Sequence, residues 1–284
     1  MTDSPEILRY SAFAATPDGG NPAGVVLDAS GLDDERMLGI AAEVGYSETA
    51  FVTARSVVDG VARARVRYFS PGAEVPFCGH ATVATAVALA ERGRVGDVVF
   101  ETPAGEVALR SAPDTDGRIT VAFTSIEPEV RDLDPDVRDR LLALLGLDTS
   151  DLDPRFPAKE SFAGNRHPIL VIADREIFHQ FRFAPAELAA LMREQGWPGT
   201  VTVLFAHDAA LFEARNLFPV GRITEDPATG SAAAATGAYL RAIDWPASQL
   251  VIRQGAHVGR PSELHVDIPE TGGIVVSGGA TAIG

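Results

Sequence analysis

Three short clusters in this chain hold side chains able to move a proton or grip an anion. Glu48 stands in Tyr46-Ser47-Glu48-Thr49-Ala50-Phe51. Cys78 and His80 flank Gly79 in Pro76-Phe77-Cys78-Gly79-His80-Ala81-Thr82. Asp226, Thr229, Gly230 and Ser231 lie in Glu225-Asp226-Pro227-Ala228-Thr229-Gly230-Ser231. A carboxylate at the mouth of a strand can accept a proton and return it, and an imidazole beside it can donate or accept. Each residue also has an ordinary reading. Glutamates at strand edges are mostly solvated. His80, Asp226 and Ser231 all suit the cap of a helix, and Cys78 suits a small buried hydrophobe. Their convergence is the stronger signal.

Two of the clusters share one local pattern. Arg67-Tyr68-Phe69-Ser70-Pro71 leads through polar residues to Gly79 and an Ala/Val-rich run up to Ala90. Arg215-Asn216-Leu217-Phe218-Pro219 leads likewise to Gly230 and the run from Ala232 to Leu240. Each reads as a strand ended by proline, a polar loop, and a glycine opening a helix. Both helices are apolar nearly all round, the mark of a buried helix. A buried helix start leaves N–H groups without intrahelical partners, and with the helix dipole these form an anion site. The pattern predicts that the N–H groups of Thr229 to Ala232 face a ligand's carboxylate. At Gly230 a side chain would block that approach and strain any backbone that only glycine tolerates. Two such starts predict two similar halves whose buried helices aim at one ligand.

Around them, the first half reads as strands over 7–14 and 23–28 joined by a tight loop at 20–24. A helix over 33–44 capped by Asp33, strands over 48–54 and 61–69, and the buried helix over 79–92 follow. Strands over 98–102, 106–110 and 118–123 complete it. The acidic, proline-bearing stretch 126–136 reads as a linker. The second half reads as helices over 136–145 and 185–195, strands over 169–173, 201–206 and 211–218, the second buried helix, and strands over 250–254, 263–268 and 274–277. Sheet-rich halves with one apolar helix each predict a sheet curled around that helix.

At 284 residues the chain exceeds one comfortable core, which favours two domains. Hydrophobic residues at 46% and charged residues at 22% are a globular composition. A net charge of −15 argues against nucleic acid or anionic membrane as partner, so a bound anion needs a local site. No apolar run reaches membrane-spanning length. The opening residues lack the basic start and apolar stretch of a signal peptide. Cys78 is the only cysteine, so no intrachain disulfide forms and a cytoplasmic protein is expected. Lys159, the only lysine, falls in a loop-like stretch, and no Gly-Lys-Ser/Thr phosphate loop exists. The six histidines show no i,i+4 pairing with glutamate and no Cys–His cluster, so no zinc is expected. The chemistry is expected to use side chains and backbone alone.

Five motifs in order then carry a resemblance. These are Gly20-Asn21-Pro22-Ala23-Gly24, Ser47-Glu48-Thr49-Ala50-Phe51, Pro76 to Thr82, Glu225 to Ala232, and Gln254-Gly255 with Gly259-Arg260-Pro261-Ser262. Together they resemble the phenazine-biosynthesis PhzF-like family from near the N-terminus to Ser277-Gly278-Gly279. The resemblance implies an α+β, diaminopimelate-epimerase-like fold of two pseudo-symmetric lobes. Each is a curled, mostly antiparallel sheet around a central helix, with the active site in the cleft between them. The N-terminal lobe would span 1–125, joined by the C-terminal strand at 274–284, and the second lobe 126–273. A homodimer, a small carboxylate-bearing substrate and cofactor-free proton transfer are also implied. By motif, Glu48 matches the proton-shuttling glutamate, with His80 and Asp226 as polar partners. Asn21, Gly79, Thr229, Gly230 and Ser231 would bind substrate.

One departure matters. Fold cousins that epimerise amino acids use a thiol from each half; Cys78 stands near the first position, and the second half has no cysteine. A two-thiol racemase is impossible, while Cys78 paired with a carboxylate stays open. Three readings result: a proton-shifting isomerase, an epimerase or racemase of an amino-acid-like acid, and a metabolite-binding protein without turnover.

Overall fold

The computed structural model describes residues 5–221 and 223–284. The chain divides into two compact units, one running up to Thr124 and taking in Ser277–Gly284, the other Ser125–Val276. The fold is mixed, with sheet-dominated, barrel-like cores and few helices.

The first unit contains β1 (Leu8–Ala12), β2 (Asn21–Val26), α1 (Asp34–Val44), β3 (Glu48–Val58), β4 (Val61–Phe69), the two-residue β5 (Glu74–Val75), α2 (Gly79–Glu91), β6 (Gly96–Thr102), β7 (Gly105–Pro113) and β8 (Ile119–Thr124). β1 pairs antiparallel with β2 and with the chain's last strand, Val275–Ala282. β2–β3 and β4–β6 are parallel, and β3–β4, β6–β7 and β7–β8 antiparallel. The last strand also pairs with β8, so the pairings close into a circuit. The two parallel pairs are the ones joined through α1 and α2, as parallel neighbours require a crossover. Every residue of α2 from His80 to Ala90 is buried. Alanines make that possible, because a helix sheathed in small side chains lets strands approach on all sides. Its two threonines bring hydroxyls into the core and satisfy them locally. Thr82 Oγ1 donates to the Cys78 carbonyl at 2.8 Å and Thr85 Oγ1 to that of Ala81 at 2.7 Å.

The second unit contains β9 (Glu129–Asp132), α3 (Pro135–Leu144), β10 (Lys159–Phe162), β11 (Arg166–Val171), α4 (Arg175–Gln180), α5 (Pro185–Gln195), β12 (Val201–Ala206), β13 (Leu211–Leu217), the two-residue β14 (Glu225–Asp226), α6 (Gly230–Ala242), β15 (Gln249–Gln254) and β16 (Ser262–Asp267). β9–β10, β10–β11, β12–β13 and β15–β16 are antiparallel. β11–β12 and β13–β15 are parallel, again across helical connections. Inside this sheet lies α6, buried continuously from Ala232 to Leu240. Gly237 explains how closely it is packed: a Cβ there would meet Ile274 Cγ2 at 2.8 Å and Val266 Cγ1 at 2.9 Å.

Several expectations are corrected. Residues 126–136 are not an open linker: they hold β9, the Asp134 cap and Pro135 at the first turn of α3. The loop expected at 20–24 is mostly strand, since β2 begins at Asn21; only Gly20, at φ +77°, makes the turn. Lys159 opens β10 rather than a loop, with Nζ 2.6 Å from Asp132. β10 escapes pattern reading because it buries Glu160, which Arg131, Arg166 and the Trp197 indole hold in place. The six-residue α4 is too short to show a helical period.

Candidate active site

α1, α3 and α4 are each capped by an aspartate side chain, Asp33, Asp134 and Asp174. The residues preceding the two buried helices, Cys78 and Thr229, are extended and make no side-chain cap. At neither start does the side chain of the preceding residue take up the first helical N–H groups, which lie at the positive end of the dipole.

At the first start, α1 ends at Gly45 in a left-handed turn (φ +73°), and Glu48 begins β3 three residues later. Its register partner in β2 is Ala23, two residues after Asn21, which opens that strand in a buried position. His80 Nε2 lies 3.5 Å from Glu48 Oε2. Cys78 Sγ donates toward Glu48 Oε2 at 3.6 Å and lies 3.3 Å from His80 Nδ1. Ser47 Oγ sits 3.4 Å from His80 Nε2. The Glu48 side chain keeps 20% exposure against 7% for His80, so the carboxylate is the member of the trio most open to a ligand.

This geometry corrects the sequence reading twice. A Cys–His cluster does exist: residues separated by one glycine are joined by a carboxylate 30 positions upstream, which no short motif records. Nor is Cys78 merely an apolar filler, though it is buried, because its thiol touches both titratable neighbours. Among the described residues, Glu48, Cys78 and His80 are the group whose donor atoms lie close enough together to hold a metal ion.

At the second start the chemistry is a fixed hydrogen-bond cage. Asp226, on β14, accepts from Thr229 Oγ1 on Oδ2 at 2.5 Å. Gln254, at the end of β15, receives the Thr229 N–H on Oε1 at 3.3 Å. Through Nε2 it donates to the Asp226 carbonyl at 2.6 Å and to Thr229 Oγ1 at 3.0 Å. The Thr229 N–H therefore does not face a ligand, leaving Gly230, Ser231 and Ala232 as the candidates. Neither Gly79 nor Gly230 is among the glycines with positive φ. Any need for glycine at these positions therefore comes from space, not from a left-handed backbone.

Ser231 Oγ lies 3.1 Å from Nε2 of His167, a fully buried residue of β11. Nδ1 of that ring lies 3.1 Å from the Thr200 N–H and 3.0 Å from the Thr200 carbonyl, so Thr200 anchors the ring in either tautomer and turns Nε2 toward Ser231. Burial drives the His167 pKa down to about 4, so the ring is neutral at ordinary pH. Sequence reasoning missed His167; the available signal was a histidine heading the apolar run Pro168-Ile169-Leu170-Val171.

The structure thus gathers Glu48, Cys78, Gly79 and His80 in the first unit, and Asp226, Thr229, Gly230 and Ser231 in the second, where it adds Gln254 and His167. No helix among the described residues is long and apolar enough to cross a membrane.

Residues 10–283 match the family model described as phenazine biosynthesis-like protein, PhzC-PhzF, and the chain belongs to that family. It is an enzyme of the isomerase class. An uncharacterised isomerase of Bacillus subtilis, YfhB, is 30% identical over 95% of this chain and 92% of that protein. The trans-2,3-dihydro-3-hydroxyanthranilate isomerase of Pseudomonas aeruginosa is 32% identical over 89% of this chain and 87% of its own length. Among solved structures, a PhzF-family protein of Bacillus anthracis superposes with TM-score 0.82 at 27% identity, covering 98% of both chains. A probable proline racemase from Agrobacterium radiobacter, at TM-score 0.59 and 15% identity over 99% of this chain and 92% of its own, shares the fold alone.

Proposed function

We propose that this isomerase moves a proton, and with it a double bond, within a small carboxylate-bearing metabolite, using no cofactor and a single acid–base residue, Glu48. The observation that carries the reading is the partly exposed Glu48 carboxylate, 3.5 Å from His80 and 3.6 Å from Cys78, at the start of a buried helix. A 1,3-type proton shift needs one group that is base first and acid afterwards, which a positioned carboxyl supplies. His80, itself met by the Ser47 hydroxyl, orients that carboxyl. Negative charge developing beside the substrate's carboxylate needs donors already in place, and helix N-termini supply them without reorganisation. We assign substrate holding to Asn21 and Gly79 in the first unit and to Gly230 and Ser231 in the second. Asp226 and Thr229 shape the second start. The similar order of strand pairings and crossovers in the two units supports reading them as repeats of one plan.

A second reading has its own observation. Cys78 Sγ lies 3.3 Å from His80 Nδ1, and a thiol beside an imidazole is a potential second base, as an epimerase requires. One assay separates these. The purified protein is incubated in deuterium oxide with a panel of small cyclic amino and hydroxy acids. The panel includes trans-2,3-dihydro-3-hydroxyanthranilate, the compound in the Pseudomonas relative's name. Deuterium entering at carbon with a change in ultraviolet absorbance supports the isomerase. Deuterium entering with loss of optical rotation and an unchanged chromophore moves the assignment to the epimerase. No exchange with any member contradicts both.

A further inference from the structure

The trio at the start of α2 has a second chemistry. Cys78 Sγ, His80 Nε2 and Glu48 Oε2 are separated by 3.8, 3.6 and 3.5 Å along the three edges Sγ–Nε2, Sγ–Oε2 and Nε2–Oε2. An ion held tetrahedrally by one thiolate, one imidazole and one carboxylate has bonds of about 2.0–2.3 Å, which spaces its ligands roughly 3.3–3.8 Å apart. The three donors therefore outline one face of a zinc-like coordination shell before any ion arrives. From this geometry we infer that Glu48, Cys78 and His80 form a binding site for a thiophilic divalent ion of the Zn²⁺, Co²⁺ or Cd²⁺ kind.

The donor set selects that class. One thiolate and one carboxylate cancel the charge of a divalent ion, so the mostly covered site gains no net charge on loading. Mg²⁺ and Ca²⁺ need six or more oxygens, and the trio offers one carboxylate. A thiol and an imidazole are the softer ligands that zinc-like ions prefer. Loading releases the Cys78 proton to solvent, so binding weakens as pH falls. Ser47 Oγ lies 3.4 Å from His80 Nε2. The fourth position stays open to water or to an anionic ligand. An ion here would engage the carboxylate proposed as acid–base, so loading would switch off isomerisation. That consequence rests on the proposed role of Glu48; the binding itself does not.

The test reads binding without activity. Metal-free protein is titrated with Co²⁺, which gives a near-ultraviolet thiolate-to-cobalt charge-transfer band and intense visible bands when tetrahedral. The expected result is one Co²⁺ per chain with both features, displaced by Zn²⁺. Cys78→Ser should abolish the charge-transfer band, and Cys78→Ser, His80→Ala and Glu48→Gln should each weaken binding at least about tenfold. The rival site is the surface group in which Glu213 meets His179 and His207, with His257 against His179. If wild type shows no charge-transfer band at millimolar Co²⁺, the inference is overturned. Affinity unchanged in His80→Ala and lost in His207→Gln also overturns it, since the ion would then sit at the rival site. If Co²⁺ binds as expected and Zn²⁺ leaves solvent-deuterium exchange undiminished, the metal site stands and the proposed role of Glu48 fails.

Discussion

The starts of α2 and α6 arise from the same kind of sequence, and they are built for different work. Each follows a strand carrying an arginine bonded to a glutamate of the next short strand, Arg67 to Glu74 and Arg215 to Glu225. Each opens on glycine, and in neither does the preceding side chain cap the helix. At α2 the neighbouring groups are a carboxylate, a thiol and an imidazole, all able to change protonation, at separations of 3.3–3.8 Å. At α6 every neighbour has a fixed hydrogen-bond role, with Gln254 tying Thr229 to Asp226 and His167 held neutral behind Ser231. The ion pairs differ in the same sense. The Arg215–Glu225 pair is buried, while Asp34 and Glu74 share a partly exposed Arg67. One start gathers groups that can change protonation, and the other gathers groups held in fixed hydrogen bonds.

The comparison predicts that stability and activity separate between the two histidines. His167→Ala removes a fully buried ring and its hydrogen bond to Thr200, a loss of about 3–4 kcal/mol. His80→Ala, at the edge of a solvent-reaching trio, should cost clearly less. Urea unfolding of both variants checks this, and equal losses would break the distinction.

The same ring sets a pH window. Its folded pKa of about 4 lies below the ordinary 6.5. Above pH 6.5 both states are neutral and the contribution is fully present. As pH falls from 6.5 toward 4 the unfolded chain binds a proton that the folded chain refuses, and stability is lost; below about 4 the loss levels off. The window is worth about 3 kcal/mol. Wild-type stability measured from pH 7 to 4 should fall by that much more than that of His167→Gln. Parallel profiles would contradict a neutral buried ring.

Gln254→Ala should cost about 1–3 kcal/mol, because it removes the side chain bonded to the Thr229 N–H and to the Asp226 carbonyl. It should raise KM more than it lowers kcat, since the second start holds rather than reacts. A fall in kcat alone would assign that start a chemical role. Smallest is Cys78→Ser, a packing change of about 1 kcal/mol that should leave most turnover intact. An inactive, well-folded variant would shift the account to the epimerase.

What was legible in the sequence follows from range. Asp33 as a cap, β4 at Val61–Phe69, α5 at Pro185–Gln195 and β12 at Val201–Ala206 are coded by nearby residues, and their patterns gave their bounds directly. α2 and α6 were legible as buried because their alanines leave no polar face. The two-residue strands β5 and β14 carry no period, and β10 breaks the hydrophobic rule by burying Glu160 among partners from three other segments. In the site the same rule holds. Cys78 beside His80 was readable as a motif, but its contact with Glu48 depends on how β3 and the start of α2 come together. The link from Ser231 to His167 spans 64 positions and has no local signature at all.

The central claim is that Glu48 alone carries the proton, and solvent deuterium exchange in Glu48→Gln tests it most directly. The amide keeps the shape of the carboxyl and cannot accept a proton, so the variant should fold as wild type does. The account predicts that its exchange into substrate falls by about a hundredfold or more. Exchange within a few-fold of wild type in a folded Glu48→Gln protein would contradict it.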